Sequence, residues 1–366
     1  MKRKVSLFLS IIMVLVMVMS LTACGGGRSD DEGSATAEAG AGFEAGATVG
    51  VSLPWLGTQN WKEAEDQFKT ELEAAGFKAI VQEADQKVPT QQQQIESMVQ
   101  NGAKVLVVAP VDGSQLGSVL EDAKAAGVYV IGYDRLLENT DAVDAVVQFG
   151  SIQTGELQGQ ALLDGLAAEK GDGPYNIELF GGGPADPNAP NFFKGAMNVL
   201  QPKIDDGTLV VVSGQTEFTE AATLDWDNGK AQTRMDSLLA GNYSDKKIDG
   251  VLSPNDGIAR AIITACEQAG QEIPVVSGLD AEDESVQWIV DGKQYSTVNK
   301  PTNELVAKTL KIIKLLQEGK DLPTPTATAD NGKIEVPLYE LTPQIVTKAN
   351  VEEVFANDPA KAAIFK

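Results

Sequence analysis

The chain is 366 residues long, 43% hydrophobic and 22% charged, and contains no histidine. Without an imidazole there is no Ser-His-Asp or Cys-His nucleophile system, no His-ligated zinc and no general base of that kind near neutral pH. Its 52 acidic residues outnumber 29 basic ones, for a formal charge of −23. Such a surface repels phosphate backbones and anionic headgroups, which excludes nucleic-acid or membrane-surface binding driven by charge. The length and the hydrophobic share suit two core-bearing domains.

Lys2, Arg3 and Lys4 precede an apolar run from Val5 to Leu21, the layout of a signal peptide. Leu21-Thr22-Ala23-Cys24 matches the bacterial lipobox, with small residues where the peptidase cuts. Residues 1–23 are therefore expected to be a lipoprotein signal peptide and Cys24 the lipidated amino terminus; an uncleaved membrane anchor is the weaker alternative. Cleavage removes Lys2, Arg3 and Lys4 and no acid, taking the formal charge from −23 to −26. Residues 24–47, rich in Gly, Ala, Ser and acids, read as a flexible tether. Cys266 is the other cysteine, so no intrachain disulfide is expected in the mature chain. Its run, Ile262-Ile263-Thr264-Ala265-Cys266, marks it as a small buried hydrophobe.

From Thr48 short apolar runs alternate with amphipathic stretches, the pattern of a parallel α/β architecture. A strand over Val49 to Leu53 is followed by a helix over Trp61 to Ala75, a strand over Lys78 to Ala84, a helix over Thr90 to Gln100, and the continuous apolar strand Val105 to Ala109. A helix over Gln115 to Ala126 and a strand over Val128 to Tyr133 complete a first unit, with Gly76, Gly102 and Gly127 after successive helices. The alternation restarts with helix Thr154 to Ala168, strand Tyr175 to Phe180, helix Ala189 to Leu200 and strand Leu209 to Ser213. It continues with helix Ala231 to Ala240, strand Gly250 to Ser253, helix Ile258 to Ala269 and strand Pro274 to Ser277. The fold class is thus α/β, two doubly wound lobes. Residues 48–150 plus 281–326 are assigned to the first lobe and 151–280 plus 327–366 to the second, so that the chain crosses between them several times and forms a hinge. Trp288 is expected in a core, and Asp330-Asn331-Gly332 in a hairpin turn.

Ligands of open α/β sheets bind beyond the carboxyl ends of the strands. The polar and aromatic residues falling there include Trp55, Asn60, Trp61, Asp134, Arg135, Asp186, Asn188, Phe192, Trp226, Asn255, Asp280 and Lys300. This set suits a sugar, whose C–H face stacks on aromatic rings and whose hydroxyls both donate and accept. With no histidine in it, binding should vary little between about pH 5.5 and 8 unless burial shifts the carboxylates. Trp55 is evenly placed between a surface aromatic and a ligand wall, and Asp112 between a helix cap and a site residue. Gly181-Gly182-Gly183 lacks the Lys-Ser or Lys-Thr of a phosphate loop and is followed by Pro184.

Five stretches, in order, carry a resemblance: Gly132-Tyr133-Asp134-Arg135-Leu136, Gly173 to Gly182, Leu252-Ser253-Pro254-Asn255-Asp256-Gly257, Ser277-Gly278-Leu279-Asp280-Ala281 and Val298-Asn299-Lys300-Pro301. With them the chain, from about Val49 onward, resembles periplasmic sugar-binding proteins of the ribose/galactose class, particularly the xylose-binding and multiple-sugar-binding receptors of ABC importers. The resemblance implies two Rossmann-like lobes on a three-segment hinge closing on one monosaccharide. No cofactor, metal or catalysis is expected, since the chain has no histidine and no metal-ligand spacing. Asn60, Trp61, Asp134, Arg135, Asn188, Phe192, Trp226, Asn255, Asp280 and Lys300 would be the sugar contacts. The chain departs from that pattern at Asn60, where the xylose-like and multiple-sugar members carry arginine, and at Phe149-Gly150-Ser151, where they carry Phe-Asp-Asn. The loop Pro187 to Phe193 also differs, leaving Asn191 and Phe192 able to exchange roles.

The expected function is that of a monomeric, lipid-anchored receptor on the outer face of the cell membrane. It would bind xylose, glucose, galactose or a similar monosaccharide and deliver it to an ABC permease with its ATPase. The alternatives are the ligand-binding component of a chemotaxis or sensor-kinase system and, further off, a sugar-modifying enzyme.

Overall fold

Val105, Leu106, Val107 and Val108 are fully buried although successive side chains point to opposite faces, because helices cover the strand on both sides. The computed structural model in which this is seen describes residues 42–365. The expected signal peptide, Cys24 and most of the tether lie outside the described residues.

The first part of the chain runs β1 (Thr48–Leu53), α1 (Gln59–Ala74), β2 (Lys78–Glu83), α2 (Val88–Gln100), β3 (Ala103–Val108), α3 (Gly117–Ala125), β4 (Tyr129–Tyr133) and β5 (Ala145–Phe149). Then come α4 (Ser151–Glu169), β6 (Tyr175–Leu179), α5 (Asn188–Asp205), β7 (Leu209–Val211), a short α6 (Phe218–Ala221), α7 (Asn228–Asn242), β8 (Gly250–Leu252), α8 (Asp256–Gln268), β9 (Val275–Val276) and α9 (Asp283–Asp291). The last part is β10 (Ser296–Asn299), α10 (Thr302–Gln317), β11 (Ala327–Asp330), β12 (Glu335–Leu341), β13 (Gln344–Thr347) and the short α11 (Val351–Val354) and α12 (Pro359–Ala362). Gly76, Gly102 and Gly127 follow α1, α2 and α3 at φ 88°, 81° and 78°, the left-handed position that glycine fills without strain. Among the described residues no helix is long and apolar enough to cross a membrane.

One sheet has the order β11-β12-β5-β4-β3-β1-β2, parallel except for the β11–β12 hairpin. Phe68 and Leu72 of α1 and Leu310 and Ile313 of α10 cover one face with Val49 and Val51; Ile95, Met98 and Leu120 of α2 and α3 cover the other with Leu106. The second sheet, β7-β6-β8-β9, is parallel throughout, with α4 and α5 on one face and α7 and α8 on the other. Cys266 is fully buried on α8, where burial pushes its thiol up to about 12. Trp288 packs against the same core.

The carboxyl-terminal third is shared out differently from the expected boundaries. Residues 327–341, expected in the second lobe, join the first sheet, because β12 pairs in parallel with β5 and β11 follows it back as a hairpin. Residues 281–299, expected in the first lobe, lie with the second: Asp280 N–H bonds to Val298 O, and β10 pairs with β13. An unpaired β5 would leave the edge of a buried parallel sheet open, and β12 closes it. The chain crosses between the lobes at residues 149–151, 299–302 and 341–344.

Candidate functional site

The carboxyl ends of the strands of both lobes face one cleft. Trp55, Thr58, Asn60 and Trp61 follow β1; Asp134 and Arg135 follow β4; Asp186 and Phe192 follow β6. Trp226 precedes α7, Asn255 follows β8, Leu279 and Asp280 follow β9, and Lys300 follows β10. These side chains line one cavity, about 350 Å³ of space that includes its opening to solvent. Backbone strain gathers here as well: Asp134, Asp225, Trp226, Asp280 and Ala281 have φ of 62°, 61°, 56°, 90° and 51°. Left-handed non-glycine residues cost energy and persist where the surrounding structure fixes them, often at ligand sites.

A chain of charges runs across the cleft. The Arg135 guanidinium, 6% exposed, reaches Asp186 Oδ2 at 2.9 Å and donates to Pro110 O at 2.9 Å, and it lies 5.2 Å from the Trp61 ring centroid. Lys300 Nζ lies 3.3 Å from Asp134 Oδ1, 3.5 Å from Asp280 Oδ1 and 5.4 Å from the Phe192 ring centroid. Burial pulls Lys300 down, but Asp134, Asp280 and Asp186 outweigh it and the net shift is upward, so the ammonium stays charged. Burial raises Asp186 although Arg135 opposes it. Burial also pushes Asp280 up to about 6, with Lys300 opposing the shift and Asp134 and Glu282 reinforcing it. The exception left open for burial applies here: the Asp280 carboxyl, its side chain only 11% exposed, titrates near pH 6 without any histidine.

The polar ends are preset by the protein. Asn60 Oδ1 accepts from the Thr58 hydroxyl, which leaves its NH₂ as the free end. Asn255 Oδ1 caps α8 by accepting Ile258 N–H at 2.9 Å, again leaving the amide NH₂. The Trp226 indole lies against Gly182, where a Cβ would come within 2.2 Å of the ring, so the triple glycine makes room for an aromatic wall. Arg135 Nε and Trp226 Nε1 are buried with no acceptor from the described residues.

Nine of the ten expected contacts line the cavity, and Asn188 does not. It lies behind Asp134, donating to Asp134 O at 2.7 Å and accepting from Ser151 Oγ at 2.8 Å, and so braces the cleft at the first crossing. Asn191 turns away and donates to Pro187 O. Trp55 lines the cavity, while Asp112 accepts from Ser114 N–H and Oγ–H in its own turn. Asp186 and Thr58 were not among the ten. The signal for Asp186 was available, since a buried arginine requires a carboxylate and Asp186 stands at a strand end.

Residues 49–321 match the family described as periplasmic binding protein domain. The chain is 44% identical over 313 residues to the multiple sugar-binding periplasmic receptor of Rhizobium radiobacter, covering 84% of this chain and 88% of that one. It is 34% identical to the D-xylose-binding periplasmic protein of Escherichia coli, covering 85% and 89%. Among solved structures it is similar to an ABC transporter solute binding protein from Clostridium phytofermentans with bound β-D-glucose, at 37% identity and a TM-score of 0.82, covering 86% of this chain and 99% of that one. With this cleft, this pair of sheets and this extent of match, the chain belongs to the periplasmic binding protein family.

Proposed function

We propose that the protein is an extracytoplasmic receptor that closes its two lobes on one neutral monosaccharide of the glucose or xylose type and presents it to an ABC transporter. The observation that carries this reading is the cavity itself. Three tryptophans and Phe192 supply apolar walls, while Asp134, Asp186, Asp280, Arg135, Lys300, Asn60 and Asn255 supply donors and acceptors around them. Bonds to charged partners contribute about 1.5–3 kcal/mol each, so a few of them account for the roughly −8 kcal/mol of a micromolar site. The bound β-D-glucose of the Clostridium phytofermentans neighbour and the xylose in the name of the Escherichia coli relative support this ligand class. The relatives are binding receptors, and the protein is read as one of them and not as an enzyme. Anchoring through lipidated Cys24 completes the proposal. Isothermal titration with D-glucose, D-xylose and D-galactose is expected to give micromolar or tighter binding for at least one; no heat from any pentose or hexose contradicts the reading.

A further inference from the structure

Helix α1 opens on the cavity, carrying Asn60 and Trp61 in its first turn, yet its own segment leaves its amino end uncapped. Thr58, at the cap position, makes no side-chain bond to the helix backbone, and the first turn holds no acid. A helix start with unmet N–H groups and a positive dipole end favours a carboxylate acceptor. That acceptor comes from the second lobe: Gln59 N–H donates to Glu282 Oε1 at 3.1 Å, 223 residues along the chain. In return Asp283 N–H donates to Gln59 Oε1 at 2.9 Å. Glu282 is held from behind, 2.5 Å from Arg260 Nη2 and with its own N–H on Asp256 Oδ2 at 2.9 Å. Arg260 is fixed in turn by Ser285 Oγ at 2.7 Å.

We infer that Glu282 is a positioning residue, a helix cap supplied across the cleft that completes α1 only when the lobes meet and thereby couples closure to the placement of Asn60 and Trp61. The inference rests on the closing-receptor reading, and it assigns to Glu282 a stabilisation of the closed form that opening must break.

Gln59→Pro isolates the cap. Proline at the first helical position is tolerated, and Thr58, at φ −116° and ψ 161°, already has the extended backbone that a following proline requires. The change deletes both cross-cleft bonds, whereas Gln59→Ala deletes only the one to the side chain. Using D-glucose as the probe, Gln59→Pro is expected to speed dissociation about tenfold with association little changed, and Gln59→Ala about threefold. Small-angle scattering of the sugar-free protein should show a larger radius of gyration for Gln59→Pro, at an unchanged melting temperature. Glu282→Ala, which leaves Arg260 its contact with Glu284 at 3.2 Å, should reproduce the pattern and add nothing in the Gln59→Pro background. Dissociation and radius equal to wild type in Gln59→Pro and Glu282→Ala would overturn the inference. If the wild type binds none of the sugars, the receptor reading falls, and the scattering comparison still decides the cap: a larger radius supports it and an equal one rejects it.

Discussion

Two demands meet on the Asp280 carboxylate. Burial favours the proton and pushes the group up to about 6, while Lys300 favours the charge. A sugar hydroxyl donating to it would side with the charge, so binding should strengthen as pH rises through about 6 and level off above. The folding term has the opposite sign: a carboxyl raised above its unfolded value of about 3.9 contributes most at low pH and loses that contribution between about pH 4 and 6. We predict affinity about tenfold weaker at pH 5 than at pH 7.5 by calorimetry, with the dependence flattened in Asp280→Asn; a flat wild-type profile counts against the assignment. Trp226→Ala should weaken binding by about 2 kcal/mol or more, roughly thirtyfold, and an unchanged affinity would remove the indole from the wall. Much of this site was legible in the sequence because strand-end positions are set by the alternation of apolar runs. The order of layers was not. Whether Asn188 or Asp186 faces the cavity depends on how a loop lies against the opposite lobe, which no local pattern records.

Among the elements, the β11–β12 hairpin shows the same limit. Its turn at Asp330-Asn331-Gly332 was readable from residue type, but its sheet was not, since edge pairing with β5 is a contact between distant segments. Asn331 fastens the hairpin. Only 3% exposed, it donates to Leu137 O at 2.9 Å and Thr140 O at 2.8 Å and accepts from Lys333 and Ile334 N–H at 3.0 Å. Asn331→Ala is expected to destabilise the protein by about 2–4 kcal/mol and lower the melting midpoint by several degrees, with sugar affinity within twofold of wild type. A stability loss below about 0.5 kcal/mol would show that water replaces the network.

For the molecule as a whole, the two lobes touch directly across the cleft: Arg135 with Asp186, Asn188 with Asp134, Gln86 Nε2 with Asp225 O at 3.1 Å, and Gly113 N–H with Ala185 O at 3.2 Å. Anchoring is a separate proposal with its own check. Cys24→Ser should release the protein from the membrane fraction into the medium or periplasm without altering its affinity, and retention of the variant on membranes would disprove lipid attachment through that thiol. The three crossings also order events in time. Gln148 on β5 meets Glu340 on β12 across 192 residues of chain, so the amino-terminal segment alone does not complete the first sheet. Until β12 arrives that sheet has five of its seven strands and an open edge, so the lobe that leads the chain must wait for nearly the last of it, wherever the chain folds.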